Sequence, residues 1–136
     1  MKVKVPTKVT VLESAGKGRG IFAIAKIKKG EVVEASPVVP YEELTKEVSD
    51  WSPTETIMQL YHNWGPWGPA GHPETCMVLG YGAMYNHSDK PNLIIEKDLV
   101  NSTISFTALR DIGPGEECCH QYLMWSEDLR GKKYER

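Results

Sequence analysis

The 136-residue sequence predicts a mostly-β domain of short strands with one short helix in its middle. Three observations carry that reading. Short apolar segments, several of them alternating with polar residues, recur between glycine-rich turns. Only one stretch combines a helix start with an apolar face at helical spacing. Finally, Ala23-x-x-x-Ile27-x-x-Gly30-Glu31 returns as Ala108-x-x-x-Ile112-x-x-Gly115-Glu116. Two copies are too few for a solenoid. They are either unrelated glycine turns or two similar strand–turn–strand units, and the second reading fits a fold of short strands.

Taken in order, Met1 to Pro6 alternates lysine and valine and reads as a strand. Val9-Thr10-Val11-Leu12 is β-like, Ala15 to Gly20 is turn-rich, and Ile21-Phe22-Ala23 is β-like again. Lys28-Lys29-Gly30-Glu31 is a turn that leads into a short strand at Val32-Val33-Glu34. Ser52-Pro53-Thr54-Glu55 opens the helix: Ser52 caps, Pro53 suits the first helical position, and Glu55 completes a capping box. Ile57, Met58, Leu60 and Tyr61 form its apolar face. It is expected to stop near Asn63, because Gly65-Pro66-Trp67-Gly68-Pro69 cannot continue it. Leu93-Ile94-Ile95 and Thr103 to Thr107 read as paired strands around Asp98 to Ser102. The second alternates, as a strand covered on one face does. Cys118 to Tyr122 is a last strand, and Ser126 to Arg136 is a polar tail.

Composition bounds the function. Hydrophobic residues make up 40% and charged residues 25%, as in an ordinary globular domain, and the length suits a single domain. No apolar run approaches the roughly 20 residues of a membrane span, and the start lacks the apolar block of a secretory signal. Three cysteines, two of them adjacent, argue against a disulfide scaffold and for a reducing intracellular setting. The glycosylation-type triplets at Asn86 and Asn101 are therefore expected to be unmodified. Net charge is −2, so direct nucleic-acid binding by the whole protein is not expected. The charge is unevenly placed: residues 1–35 hold eight Lys/Arg and three acids, whereas residues 40–75 hold one Lys and six acids. These are two solvated faces, or the acidic middle receives a basic peptide.

Three segments could carry chemistry. Gly18-Arg19-Gly20 gives a tight turn and a close backbone approach to a ligand. It is not a dinucleotide fingerprint, since the third glycine and the following helix are missing. Asn86-His87-Ser88-Asp89-Lys90-Pro91-Asn92 places polar groups after the apolar, glycine-rich Val78 to Tyr85, where they must find partners. An Asx-type turn that caps its own backbone is the plain alternative. His87 has no second histidine at ligand spacing, so no metal site is expected. Gly115-Glu116-Glu117-Cys118-Cys119-His120-Gln121-Tyr122 ends a strand on a tyrosine.

In this order the three segments resemble the SET-domain family of protein-lysine methyltransferases. The glycine pair followed by Ile21-Phe22-Ala23 resembles its N-terminal cofactor loop. Asn86-His87-Ser88-x-x-Pro91-Asn92 matches its most specific signature, and Gly115-Glu116-Glu117 leading to Tyr122 matches its C-terminal one. The resemblance covers about residues 8–125. Gly80-Tyr81-Gly82-Ala83-Met84-Tyr85, running straight into Asn86, is similar to the small viral and prokaryotic members.

The resemblance implies a single domain over 1–136 with a β-clip-like fold of short twisted sheets around a pseudoknot. Residues 40–75 would be the substrate-selecting insert and 126–136 the C-terminal tail. It further implies S-adenosyl-L-methionine as cofactor. Lys17, Gly18, Arg19 and Gly20 would approach it, Asn86 and His87 would hold it, and Trp125 would cover its adenine side. Tyr122 would be the catalytic residue at the methyl-transfer point, and Tyr61, Tyr81 and Tyr85 would line the lysine channel, although each also suits a core. The implied partner is a basic protein with a lysine-containing tail, such as a histone or DNA-packaging protein; small members also imply a homodimer. The setting would be the cytoplasm for a prokaryotic chain and the nucleus for a eukaryotic or viral one. The chain departs from the family at Gln121, Cys119, Arg19 and Asp89, and it has no cysteine-rich tail. Trp125, with Tyr134, or a second subunit would then close the channel. A fold-retaining module that binds a basic protein or dimerises without catalysis is the alternative reading.

Overall fold

A computed structural model describes residues 3–40, 61–67, 73–98 and 100–121. Among these residues there are nine strands: β1 (Val9–Ser14), β2 (Gly18–Ala23), β3 (Val32–Pro40), β4 (Tyr61–Trp67), β5 (Pro73–Val78), β6 (Asn86–His87), β7 (Leu93–Asp98), β8 (Thr103–Ala108) and β9 (Glu117–His120). They form two sheets, one ordered β1-β2-β9-β6 and one ordered β4-β5-β3-β8-β7. The fold is mostly β, as expected. The expected helix start at Ser52 lies outside the described residues. Among those described, the helical element is a single 3-10 turn, Gly82–Met84.

β1 and β2 pair antiparallel from Val9↔Ala23 to Ser14↔Gly18. β7 and β8 pair from Leu93↔Ala108 to Asp98↔Thr103. The expected turn between them is built by Asp98, whose carboxylate accepts from the backbone N–H of Val100 and of Asn101 at 3.1 and 2.9 Å. In β8, Ile104, Phe106 and Ala108 are buried while Ser105 and Thr107 are half-buried, which is the alternation read from the sequence. Ile21, Ile27, Leu93, Ile95, Ile104, Phe106 and Ile112 are fully buried in one core cluster.

The sequence repeat is a local pseudo-twofold exchange. Ile27 and Ile112 form a bridge, with Ile27 N donating to Ile112 O at 2.9 Å and Ile112 N to Ile27 O at 2.8 Å. Gly30 N donates to Ala108 O and Gly115 N to Ala23 O, both at 2.8 Å. Ala108 N donates to Glu31 O and Ala23 N to Glu116 O, both at 2.9 Å. Both turns need a left-handed residue, and glycine supplies it at φ 85° for Gly30 and 89° for Gly115. Each unit therefore supplies backbone hydrogen bonds to the other.

Three expectations change. Residues 3–7 do not form a strand; a lone bridge from Lys4 to Ala35 holds them. One bridge without a neighbouring ladder is all that alternation achieves where Pro6 removes a donor. The helix cannot run to Asn63, because Tyr61–Trp67 is strand β4. Gly65 and Pro66 are accommodated there because β4 is an edge strand and its register shifts between Asn63 and Trp67. Finally, β3 runs nine residues rather than three, carrying Pro37 within it.

Candidate active site

The site forms where three distant segments meet on one sheet. β9 lies between β2 and β6, antiparallel to β2 through Ile21↔Cys118 and parallel to β6 through Asn86↔Cys119 and His87↔His120. The glycine hairpin is thereby brought beside the Asn-His strand. Both faces of β9 are covered: Cys118, Cys119 and His120 are all buried. The cysteines are free thiols, and burial pushes Cys118 up to about 12, so it stays protonated and unreactive near neutrality.

Glu117, the first residue of β9, holds the junction. Its Oε1 accepts from Ser14 Oγ at 2.9 Å and its Oε2 from Asn86 Nδ2 at 2.8 Å. Asn86 Nδ2 also donates to Arg19 O at 2.8 Å. Gly20 is buried directly against this cluster. A Cβ on Gly20 would clash with Glu117 Oε2 and stand 2.8 Å from Asn86 Nδ2. Gly20 is thus required by close approach, whereas Gly18, at φ 79°, is required by backbone conformation. Lys17 Nζ donates to His87 O at 3.2 Å, a second tie between hairpin and signature strand. His87 Nε2 lies 3.0 Å from the exposed Asp89 carboxylate.

Asn92 has a structural task at the end of the same signature. It is 3% exposed, its Nδ2 donates to Glu117 O at 2.9 Å, and its Oδ1 accepts from Cys119 N at 2.8 Å. An asparagine is well suited, since one amide can satisfy a backbone acceptor and a backbone donor on the same strand. Asn92 N also donates to Cys119 O at 3.1 Å, and Ser88 N to His120 O at 3.0 Å.

Behind the signature lies a buried carboxylate. Glu34 is 2% exposed; it accepts from Tyr85 Oη at 2.7 Å and from Tyr81 N at 3.0 Å. Burial raises its pKa, and the hydrogen bonds from Tyr85 and Tyr81 oppose the rise. Burial, and then the Glu34 charge, pushes the Tyr85 phenol far up, so it remains a donor. Tyr85 is 1% exposed and stacks on Phe106 with ring centroids 4.4 Å apart. It is therefore a core residue rather than a channel wall: its position before Asn86 points inward at the second sheet. Tyr81 is half-buried and packs against the core cluster. Tyr61 lies in β4, opposite Met77. Tyr122 and Trp125, like the segment that would thread a pseudoknot, lie outside the described residues.

An open cavity of about 650 Å³ adjoins the junction, lined by Glu13, Ser14, Ala15, Gly16, Gly18 and Arg19. Its size falls in the range of small-molecule sites, and Ser14 links its wall to Glu117 and Asn86. The setting offers what S-adenosylmethionine would need: glycine backbone that can approach it, polar groups on Ser14 and Arg19, and Asn86 tied to the cavity wall through Arg19 O. Sequence reasoning named the glycine pair, Asn86 and His87, which the structure brings together, but it gave Glu117, Asn92, Ser14 and Glu34 no role. A glutamate inside the apolar run Val32 to Val39 was the one available signal for Glu34; the others depend on partners far away in the chain.

A glycine hairpin, an Asn-His strand and a glycine-led return strand meet here in the order that the SET-domain resemblance implies. Comparison with known proteins agrees. The SET-domain family model matches residues 18–123. A Schizosaccharomyces pombe protein named histone-lysine N-methyltransferase, H3 lysine-37 specific, is 33% identical over 120 residues, covering 87% of this chain and 76% of its own. The Neurospora SET-domain protein DIM-5, a histone lysine methyltransferase, superposes with a TM-score of 0.62 at 19% identity, over 94% of this chain and 54% of that one. The methyltransferase domain of human SETMAR, a histone-lysine N-methyltransferase, gives 0.60 at 21% identity, over 88% and 45%. At those identities the two structures speak for the fold. The chain belongs to the SET-domain family of lysine methyltransferases.

Proposed function

We propose that the protein is an S-adenosylmethionine-dependent protein-lysine N-methyltransferase whose substrate is a basic protein of the histone or DNA-packaging kind. The observation that carries this is the Glu117-centred junction. It joins the glycine hairpin to Asn86 beside a cavity of ligand size. The Schizosaccharomyces pombe relative supports the histone class, and so does the acidic balance of residues 40–75, one Lys against six acids.

When bound, S-adenosylmethionine supplies an electrophilic methyl group on a positively charged sulfur. The chain must hold that donor in line with a neutral lysine amine, and positioning of this kind supplies much of the rate. Gly18 and Gly20 let the β2 backbone close on the donor, and Asn86 is held at the donor's edge by Arg19 O and Glu117. Lysine is protonated near neutrality, so it must lose a proton before it can attack; an apolar channel favours its neutral form. Tyr122 orients the amine at the transfer point. Tyr61 and Tyr81 line the channel, where aromatic faces also attract the methylammonium product. Trp125 covers the adenine side.

Calorimetric titration of the full chain with S-adenosylmethionine, beside Asn86→Ala, tests the cofactor site. Saturable binding that is lost in the variant, with methyl transfer to purified histones, is the expected result. A folded protein that binds no cofactor would leave only a binding module.

A further inference from the structure

The two halves of the pseudo-twofold unit differ in one respect that the fold does not explain. In both turns the glutamate after the left-handed glycine closes the loop in the same way: Lys28 N donates to Glu31 Oε1 at 3.2 Å, and Gly113 N to Glu116 Oε1 at 3.0 Å. The backbone closures match too, Glu31 N to Lys28 O at 3.0 Å and Glu116 N to Gly113 O at 3.1 Å. Yet the first turn carries Lys28-Lys29 where the second carries Gly113-Pro114, and Lys26 stands where the second has Asp111. The second copy shows that the turn forms without lysines. Their charge is therefore available for another use.

Among the described residues these lysines make no ion pair. Lys26, Lys28 and Lys29 are exposed. Of the nearby acids, Glu31 pairs with Lys8 at 2.8 Å and Glu116 with Arg110 at 3.1 Å, while Asp111 accepts from the backbone Lys29 N at 2.8 Å and keeps its charge. The surface thus gathers Lys4, Lys8, Lys26, Lys28, Lys29 and Arg110 against Glu31, Asp111 and Glu116, a local balance of +3 within a chain of net charge −2. It sits at the opposite end of β2 from Gly18 and Gly20, so it is no part of the cofactor site.

We infer that this face docks on the phosphate backbone of duplex nucleic acid. Six cations with no exposed aromatic side chain beside them among the described residues suit backbone phosphates rather than stacked single-stranded bases. The proposal builds on the proposed function. A basic packaging protein is held on a polyanion, and an enzyme with an acidic insert and a separate basic face is complementary to both parts of that complex. The proposal departs from the expectation drawn from net charge, because a local field, not the chain average, decides such a contact.

The test is fluorescence anisotropy of the full chain with a labelled duplex of about 25 base pairs, titrated across salt. If Lys26, Lys28 and Lys29 displace about three counterions, log affinity falls with log salt at a slope of about −2.7, or roughly 40-fold between about 50 and about 200 mM. The triple variant Lys26→Ala, Lys28→Ala, Lys29→Ala is expected to lose that slope, with unchanged melting and unchanged S-adenosylmethionine titration. Duplex binding untouched by the triple substitution would overturn the proposal. So would no duplex binding at low salt, or a wild-type preference for poly-glutamate, which would make the partner an acidic protein. Methyl transfer to free histone, measured separately without duplex, fails or succeeds on its own and so reports on the enzymatic reading alone.

Discussion

Replacing Gly20 by alanine probes the junction without touching its hydrogen-bonding groups. The backbone of Gly20 is not left-handed, so alanine is tolerated conformationally and the effect is steric. The new methyl would occupy the position of Glu117 Oε2 and crowd Asn86 Nδ2, so the carboxylate must leave. Glu117 then loses its bonds from Ser14 and Asn86. Hydrogen bonds to a charged group are worth about 1.5 kcal/mol each at the low end suited to a partly buried site, so the loss is about 3 kcal/mol. For a domain of this size that is a fall of roughly 12 °C in melting temperature. Glu117→Ala removes the same two bonds and costs about the same, but it also clears the space. The double variant is therefore expected to lose about 3 kcal/mol rather than about 6, a coupling far above the few tenths seen between independent sites. Urea denaturation of the four proteins reads the cycle, and S-adenosylmethionine titration reads the orientation of Asn86. Additive losses would refute the reasoning, because they would mean that Gly20 and Glu117 do not share this space.

Tyr122→Phe is expected to lower methyl transfer by at least about tenfold with S-adenosylmethionine affinity within about twofold, since one oriented hydroxyl is lost at the transition state; single-turnover kinetics beside calorimetry separates the two. Trp125→Ala should instead weaken cofactor binding, and equal affinity would remove Trp125 from the adenine side. Asn92→Ala leaves Glu117 O and Cys119 N without their partner, at a cost of about 2–4 kcal/mol in urea unfolding. The raised pKa of Glu34 sets a pH dependence: above the ordinary value of 4.5 the folded state holds its proton more tightly than the unfolded chain. Its contribution is fully present below that value and lost as pH rises through the folded-state pKa. Wild type should therefore lose more stability than Glu34→Gln between acidic and neutral pH, read as urea midpoints; parallel curves would contradict a buried carboxylate.

What the sequence made legible was whatever chemistry is local. Gly18 to Gly20, Asn86-His87 and Gly115 to Glu117 could be read as segments, and the paired strands β7 and β8 announced themselves through alternation and the Asp98 turn. The roles of Glu117 and Asn92 could not be read, because their partners lie on other strands; Ser14 and Glu117 are 103 positions apart. Tyr85 looked like a wall of the channel because aromatic residues beside a signature suit either role, and only the positions of Phe106 and Glu34 decide between them. The β4–β5 hairpin was hidden by Gly65 and Pro66, which oppose a central strand but not an edge strand with a register shift.

The pseudo-twofold exchange bears on how the chain is made. Residues 23–31 exchange backbone hydrogen bonds with residues 108–116, and those bonds form only once both units have been synthesised. Until β9 emerges, β2 and β6 each present an unpaired edge, and Ile21 and Ile27 lack part of their cover. Contacts this remote close slowly, since the loop entropy is lost before the pairing compensates. A nascent chain paused short of Glu117 is consequently a clear target for chaperones, and a premature stop there removes β9 and with it the junction that Glu117 holds.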